Sequence, residues 1–228
     1  MKRLVIPSLL LAALASWAAN PHLAVVARKN VAAGGPTYLF EESFEGAGYE
    51  NVEWSEVLGN PDEDATNLAA DGSQSLRFNN VAARLEGSQM WSAPSTSHIF
   101  FAVYKTTMTT SEDIIRGWDA SNSQIWKIQF RSDNNLWFYH GSAVVAAGVH
   151  ATGKWWYVWM DYAEGAGSDG TLDIYIADTT TKPSVTAQIT TGTSTNGHAG
   201  FYLRTDSTNN NVNIDHILVD DETIGSAP

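Results

Sequence analysis

The stretch GKWWYVWMDYAEGAGSDGTLDIYI, residues 153–176, decides the fold class. From Trp155 to Tyr162 the side chains alternate. Trp156, Val158, Met160 and Tyr162 fall on one side, and Tyr157, Trp159 and Asp161 on the other. From Thr171 to Ala177 the pattern repeats, with Leu172, Ile174 and Ile176 opposing Asp173 and Tyr175. A period of two belongs to an extended strand, whereas a helix repeats about every 3.6 residues. Asp169-Gly170, between the two runs, predicts a tight hairpin turn, because such residues accept positive φ.

Working outward, the same alternation predicts strands over Tyr38–Phe44, Gln74–Phe78, His98–Lys105, Gln124–Arg131, Leu136–His140, Gly200–Arg204 and Val212–Val219. Asn134-Asn135 is a second hairpin signal. Many short strands without helical periodicity or a fixed repeat predict an all-β sandwich or barrel. In Gln124–Arg131, Trp126, Ile128 and Phe130 share the apolar face. If consecutive strands form one meander, its outer face carries Gln129, Arg131, Trp137, Tyr139, Tyr157, Trp159, Asp161 and Tyr175. That set mixes flat aromatic plates with hydrogen-bonding groups, and it is the predicted ligand-binding platform. Trp155 and Trp156, at a strand entry, are predicted core residues. A slip of one residue in register would exchange the faces.

Residues 153–176 also resemble the laminin-G-like pattern. The closing NVNIDHILVDDE (211–222) is similar to the last strand of many concanavalin A-like jelly rolls. LFEESFEGAGYENVEW (39–54) and DGSQSLRF (71–78) resemble the opening strands of that superfamily. The resemblance covers residues 38–224. It implies two antiparallel sheets and, in many members, glycan binding. It does not imply one activity, because fold and function are separable.

Charge divides the 228-residue chain. Residues 1–40 contain Lys2, Arg3, Arg28 and Lys29 and no acid, while residues 41–228 hold nine basic and all 25 acidic residues, a balance of −16. Such a body offers no electrostatic footprint for nucleic acid or an anionic membrane surface. It also disfavours uronate-rich or sulfated chains except near Lys127 and Arg131. The absence of cysteine excludes disulfides, thiolate catalysis and cysteine-held metals.

Lys2-Arg3 followed by the apolar run Leu4–Ala15 and small residues reads as a signal peptide, so residues 1–19 predict export. The alternative is a retained segment that anchors the chain in an assembly such as a virion, with no membrane span in the mature domain. Residues 20–37 form a linker, 38–224 the sandwich and 225–228 a tail.

No catalytic residue is assigned. Glycosidases of the concanavalin A-like group carry an ExDxxE-type strand, and Glu41, Glu42 and Glu45 have no Asp among them. Polysaccharide lyases of similar fold use a Gln-x-His strand, where Gln129-Phe130-Arg131 places Arg instead, with Tyr139 and His140 on the next strand. The six histidines lack zinc-ligand spacing. His216 reads as a hydrogen-bonded, half-buried residue. No cofactor is expected. A structural calcium ion is the one candidate, with Asp62, Asp64 and Asp220 as its weak ligand set. The sequence thus predicts a non-catalytic recognition domain with a glycan or protein partner, outside the cell or on a virion surface. The alternatives are a structural subunit that forms homo-oligomers or virion contacts, and, more weakly, a lyase or hydrolase.

Overall fold

The computed structural model describes residues 38–45, 54, 56–59, 62–63, 68–79, 82–87, 89–225 and 227. The predicted leader (1–19), the linker (20–37) and Asp64 lie outside the described residues. Among the described residues fifteen strands form: β1 (Phe40–Glu42), β2 (Glu56–Leu58), β3 (Asp62–Glu63), β4 (Leu76–Asn79), β5 (Ala83–Gly87), β6 (Thr96–Thr107), β7 (Glu112–Trp118), β8 (Gln124–Phe130), β9 (Asn135–His140), β10 (Ala143–Val149), β11 (Trp155–Ala163), β12 (Gly170–Ala177), β13 (Ala187–Gly192), β14 (Gly200–Thr205) and β15 (Asn211–Asp220).

They make two antiparallel sheets packed as an open sandwich. The eight-stranded sheet runs β13-β12-β11-β6-β15-β4-β3, with β1 also paired to β15, and the seven-stranded sheet runs β10-β9-β8-β7-β14-β5-β2. All nine predicted strands are present, within a few residues of their predicted ends.

The predicted inner faces meet between the sheets. Trp126, Ile128, Phe130 and Phe138 come from the seven-stranded sheet. Val158, Met160, Tyr162, Leu172 and Ile174 come from the eight-stranded one. All are at most 2% exposed and belong to one continuous core. Burial of such side chains is the main favourable term in folding.

Strand β15 shows how a local irregularity is written in the sequence. Val212 and Ile214 face the core, and so do Ile217 and Val219, an odd step that no regular strand can make. The register shifts between Asp215 and Leu218, and His216 takes up the extra residue at φ 47°. This β-bulge lets both ends of the strand reach the core. Backbone amides of Ala70, Asp71 and His216 converge on the buried Asp215 carboxylate. His216 bonds Asp71 at 3.1 Å, as its hydrogen-bonded reading anticipated, and is buried where half-burial was expected.

One cation ties the sheets together at an end of the sandwich. Lys105 of β6 is fully buried and donates to the carbonyls of Asn134, at the β8–β9 turn, and His150. Burial pushes its ammonium down to about 8. Asn134 takes φ 67° as predicted, but Asn135 already begins β9 and the connection is the four-residue segment 131–134. Asp169-Gly170 is not the predicted two-residue turn. Gly170 begins β12, its φ is not positive, and residues 164–169 form a longer loop.

His198 is a core histidine, ringed by Trp91, Trp126 and Phe201 at 4.8–5.2 Å. Burial holds its imidazole down to about 3, so it is neutral in the fold and donates from Nε2 to the Gly200 carbonyl. The unfolded chain binds a proton there below about pH 6.5 and the folded chain does not, so stability is lost as pH falls from about 6.5 towards 3. We predict that His198→Gln removes most of that loss, on the order of 1 kcal/mol per pH unit. Urea denaturation at pH 7 and pH 5 checks this, and an unchanged difference between wild type and variant would count against it.

Candidate functional site

The predicted platform requires β8, β9, β11 and β12 to share a sheet, and they do not. After β9 the chain makes β10, which pairs back on β9, and only then crosses to the other sheet as β11. Gln129, Arg131, Trp137 and Tyr139 therefore lie on the outer face of the seven-stranded sheet. Tyr157, Trp159, Asp161 and Tyr175 lie on the outer face of the eight-stranded sheet, beyond the core. Two sheets of a sandwich pack about 10 Å apart, so no single ligand stacks on both sets.

The eight-stranded outer face is partly closed by the chain itself. Trp159 is 0% exposed and packs with Phe100, Leu218 and Ile224, with Tyr38, Tyr157, Tyr175 and Ala227 at its margin. This second core makes Trp159 a packing residue, contrary to its predicted ligand role. Asp161 is engaged by His98 Nδ1 at 2.7 Å and Lys182 Nζ at 3.2 Å. Burial alone would raise the Asp161 carboxyl, but His98, Lys182 and Tyr175 together hold it below its ordinary range. Burial, with Asp161 adding, pushes the Tyr175 hydroxyl up to about 12. Lys182 also lies over the Tyr175 ring, 4.2 Å from its centroid.

Trp155 and Trp156 are not the buried pair expected. Both are half-buried. Trp155 sits on the outer face beside Tyr104, and Trp156 caps the core edge against His150.

The seven-stranded outer face is organised differently. Its aromatic rings carry cations. Arg131 lies over Trp137 at 4.6 Å, Lys127 over Tyr139 at 4.5 Å, and Arg116 and Arg204 approach Tyr202 at 5.4 and 5.6 Å. Trp118 stacks on Tyr202, centroids 5.2 Å apart and planes within 17°. Asp113 bridges Lys127 at 2.8 Å and Arg116 at 3.3 Å, and also accepts from Gln129. Cross-strand register joins these groups into one surface: Gln129 opposes Trp137, Arg116 opposes both Lys127 and Tyr202, and Arg204 opposes Arg84. From β9 to β5 the surface crosses four strand spacings, roughly 19 Å.

Five of the nine basic residues of the acidic body thus stand on one face. The overall balance of −16 does not describe it, and the cationic exception expected near Lys127 and Arg131 extends to Arg84, Arg116 and Arg204, interspersed with Asp113, Glu86 and Asp206. Arg84, Arg116, Trp118, Tyr202 and Arg204 were not among the predicted site residues. Tyr202 and Arg204 were legible as the outward pair of the predicted Gly200–Arg204 strand. Arg116 was not, because Ile114-Ile115 interrupts the alternation of β7 where the register shifts. Burial, then the nearby Arg204, holds the Arg116 guanidinium below its ordinary value.

Other candidates resolve into structure. His140 points inward, stacks on Tyr162 at 4.9 Å and bonds the Ala163 carbonyl, so it is not a base beside Tyr139. Glu42 accepts from Phe44 N and Trp54 Nε1, and Glu45 from Ser73 and Gln74 N. For calcium, Asp62 lies in β3 opposite Arg77, and Asp220 Oδ1 accepts from Asp221 N. Among the described residues no group of three or more His, Asp or Glu is placed to hold a metal ion.

No family model matches the chain, and no curated protein matches it in sequence. Solved structures do match in fold. The endo-β-1,4-glucuronan lyase of the fungus Trichoderma reesei aligns with TM-score 0.61 and 12% identity over 82% of this chain and 96% of that one. The cellulose-induced protein Cip1 aligns at 0.58 and 15%, over 82% and 100%. The receptor-binding domain of botulinum neurotoxin type G aligns at 0.54 and 13%, over 83% and 49%. At such identities the likeness shows the sandwich fold alone.

Trp159→Ala is predicted to cost about 3–5 kcal/mol, because it empties a closed packing site. Trp137→Ala, on the half-exposed face, is predicted to change stability by about 0.5 kcal/mol or less. Equilibrium denaturation of the two variants compares them, and equal losses would contradict this division of the aromatic set.

Proposed function

We propose that this chain is a carbohydrate-recognition domain of the concanavalin A-like, laminin-G-like type, exported by its N-terminal segment. Its binding surface is the outer face of the seven-stranded sheet. The observation that carries this reading is the half-exposed group Trp137, Tyr139, Gln129 and Arg131, extended along the face by Trp118 and Arg204, which with Arg116 cover the buried Tyr202. Trp and Tyr present flat apolar faces that suit the C–H face of a sugar ring, and Gln129 and the cations supply donors to its hydroxyls. Structural neighbours whose names include a glucuronan lyase and a receptor-binding domain are consistent with it.

The role is recognition without catalysis. His140, next to Tyr139 in the sequence, is turned inward and bonds the Ala163 carbonyl. The inward carboxylates and amides named above serve the fold.

Glycan-array and calorimetric measurements on the full chain test the proposal. Trp137→Ala and Tyr139→Ala are expected to weaken binding about tenfold or more at unchanged Tm. Tyr175→Ala, on the opposite face, should leave affinity intact. Loss of binding through Tyr175 but not Trp137 would place the ligand on the wrong sheet for this reading. Bound polysaccharides should show no new reducing ends, and their appearance would make the chain an enzyme instead.

A further inference from the structure

The half-exposed end of this face is ordered by one chain of hydrogen bonds that crosses neighbouring strands. Gln129 of β8 stands directly opposite Asp113 of β7 on one side and Trp137 of β9 on the other. Asp113 Oδ2 accepts from Lys127 at 2.8 Å and Arg116 at 3.3 Å, and its Oδ1 accepts from Gln129 Nε2 at 3.2 Å. Gln129 Oε1 in turn accepts from Arg131 Nη1 at 3.1 Å. A carboxylate only accepts and a guanidinium only donates, so these two partners fix the Gln129 amide in one of its two orientations. Arg131 depends on that orientation. Among the described residues no carboxylate stands within ion-pair distance of it, and Asp133 acts on it only from further away. Its Nε is buried and has no acceptor. The guanidinium is therefore held 4.6 Å over the Trp137 centroid by the ring itself and by the bond to Gln129.

We propose that Asp113 is the positioning residue of the glycan-binding face: through Gln129 it sets Arg131 flat over Trp137, so that one sugar unit meets the ring and the guanidinium together. This rests on the glycan reading above. The oxygens of Asp113 are taken by Lys127, Arg116 and Gln129, so it acts through its neighbours and not on the ligand. The N–H groups of Arg131 that Gln129 does not engage remain for sugar hydroxyls. An arginine already held in place loses less side-chain freedom when the ligand arrives, which raises affinity. Asp113→Asn reverses the chain. Lys127 and Arg116 keep the one remaining oxygen, and the new amide nitrogen faces Gln129. Gln129 then turns its Oε1 towards that nitrogen and its Nε2 towards Arg131, donor against donor, and the guanidinium leaves the ring. Adding Gln129→Glu supplies an acceptor to both neighbours again.

Two measurements on the full chain test this. The first needs no ligand. The ring current of Trp137 shifts the Arg131 side-chain proton signals upfield. Asp113→Asn is expected to lose most of that shift, and Asp113→Asn combined with Gln129→Glu to recover it. Lys154→Gln, whose ion pair with Asp178 lies elsewhere, leaves it unchanged. The second is isothermal titration with the hexasaccharides of cellulose, β-1,3-glucan, mannan and polyglucuronate. Asp113→Asn is expected to weaken binding about tenfold, and the combined variant to bind within about twofold of wild type. In an Arg131→Met background Asp113→Asn should cost nothing further, because no guanidinium is left to place. An unchanged Arg131 shift in Asp113→Asn, or an equal loss of affinity with and without Arg131, overturns the proposal. With binding still lost in Trp137→Ala, the glycan reading survives that result. Binding that ignores Trp137→Ala overturns both, as does failure of all four sugars to bind. Should Asp113→Asn fail to fold, Gln129→Leu breaks the same chain one bond later and carries the same expectations.

Discussion

Everything in this molecule depends on two sheets sharing one dry interior. Each strand alternates, so it can give only one of its faces to that interior. Trp126, Ile128, Phe130 and Phe138 meet Val158, Met160 and Ile174 there. The other faces then point in opposite directions. Strands adjacent in sequence present their outward side chains to the same surface only while the chain stays within one sheet. The crossing between β10 and β11 ends that for this protein, and it sends Tyr157, Trp159 and Tyr175 to the far side.

The two outer surfaces have different fates. On the eight-stranded sheet, Trp159 and Phe100 are sealed beneath Ile224 and its neighbours, and Asp161 is saturated by His98 and Lys182. On the seven-stranded sheet, Trp137 and Tyr139 stay half-exposed beneath Arg131 and Lys127, while Tyr202 is buried under Trp118 and two guanidinium groups. Cation–π contacts hold flexible Lys and Arg side chains flat on the surface, which reduces the ordering entropy a ligand would otherwise have to meet. The result is a preorganised cationic face on an otherwise acidic body. Net charge, a property of the whole chain, gave no hint of it.

Strands and their faces were legible because period-two alternation is local. Trp126-Ile128-Phe130 against Lys127-Gln129, and Met160 against Asp161, read correctly from neighbours one residue apart. Even the bulge in β15 is present as the odd step from Ile214 to Ile217. Strands β7 and β10 escaped notice for opposite reasons. Ile114-Ile115 places two apolar residues in succession at a register shift, and Ala143–Val149 is apolar on both faces, so it has no contrast to read. Missing β10 hid the crossing, because a strand after β9 was needed to carry the chain to the sandwich edge.

The sequence by itself therefore determined the all-β class, nine of the strands and the inner faces of β8, β11 and β12, because hydrophobic alternation is imposed residue by residue. It could not determine which strands are neighbours, since hydrogen-bond partners in a sheet are chosen over long separations by core packing. Only the tertiary structure placed Arg84, Arg116 and Arg204, residues 32 and 88 positions apart along the chain, around one tyrosine. Only it turned Trp159 from an outward aromatic into a buried one, because the segment that covers it lies some 65 residues further on. Faces are local and can be read; surfaces are assembled by topology and must be seen.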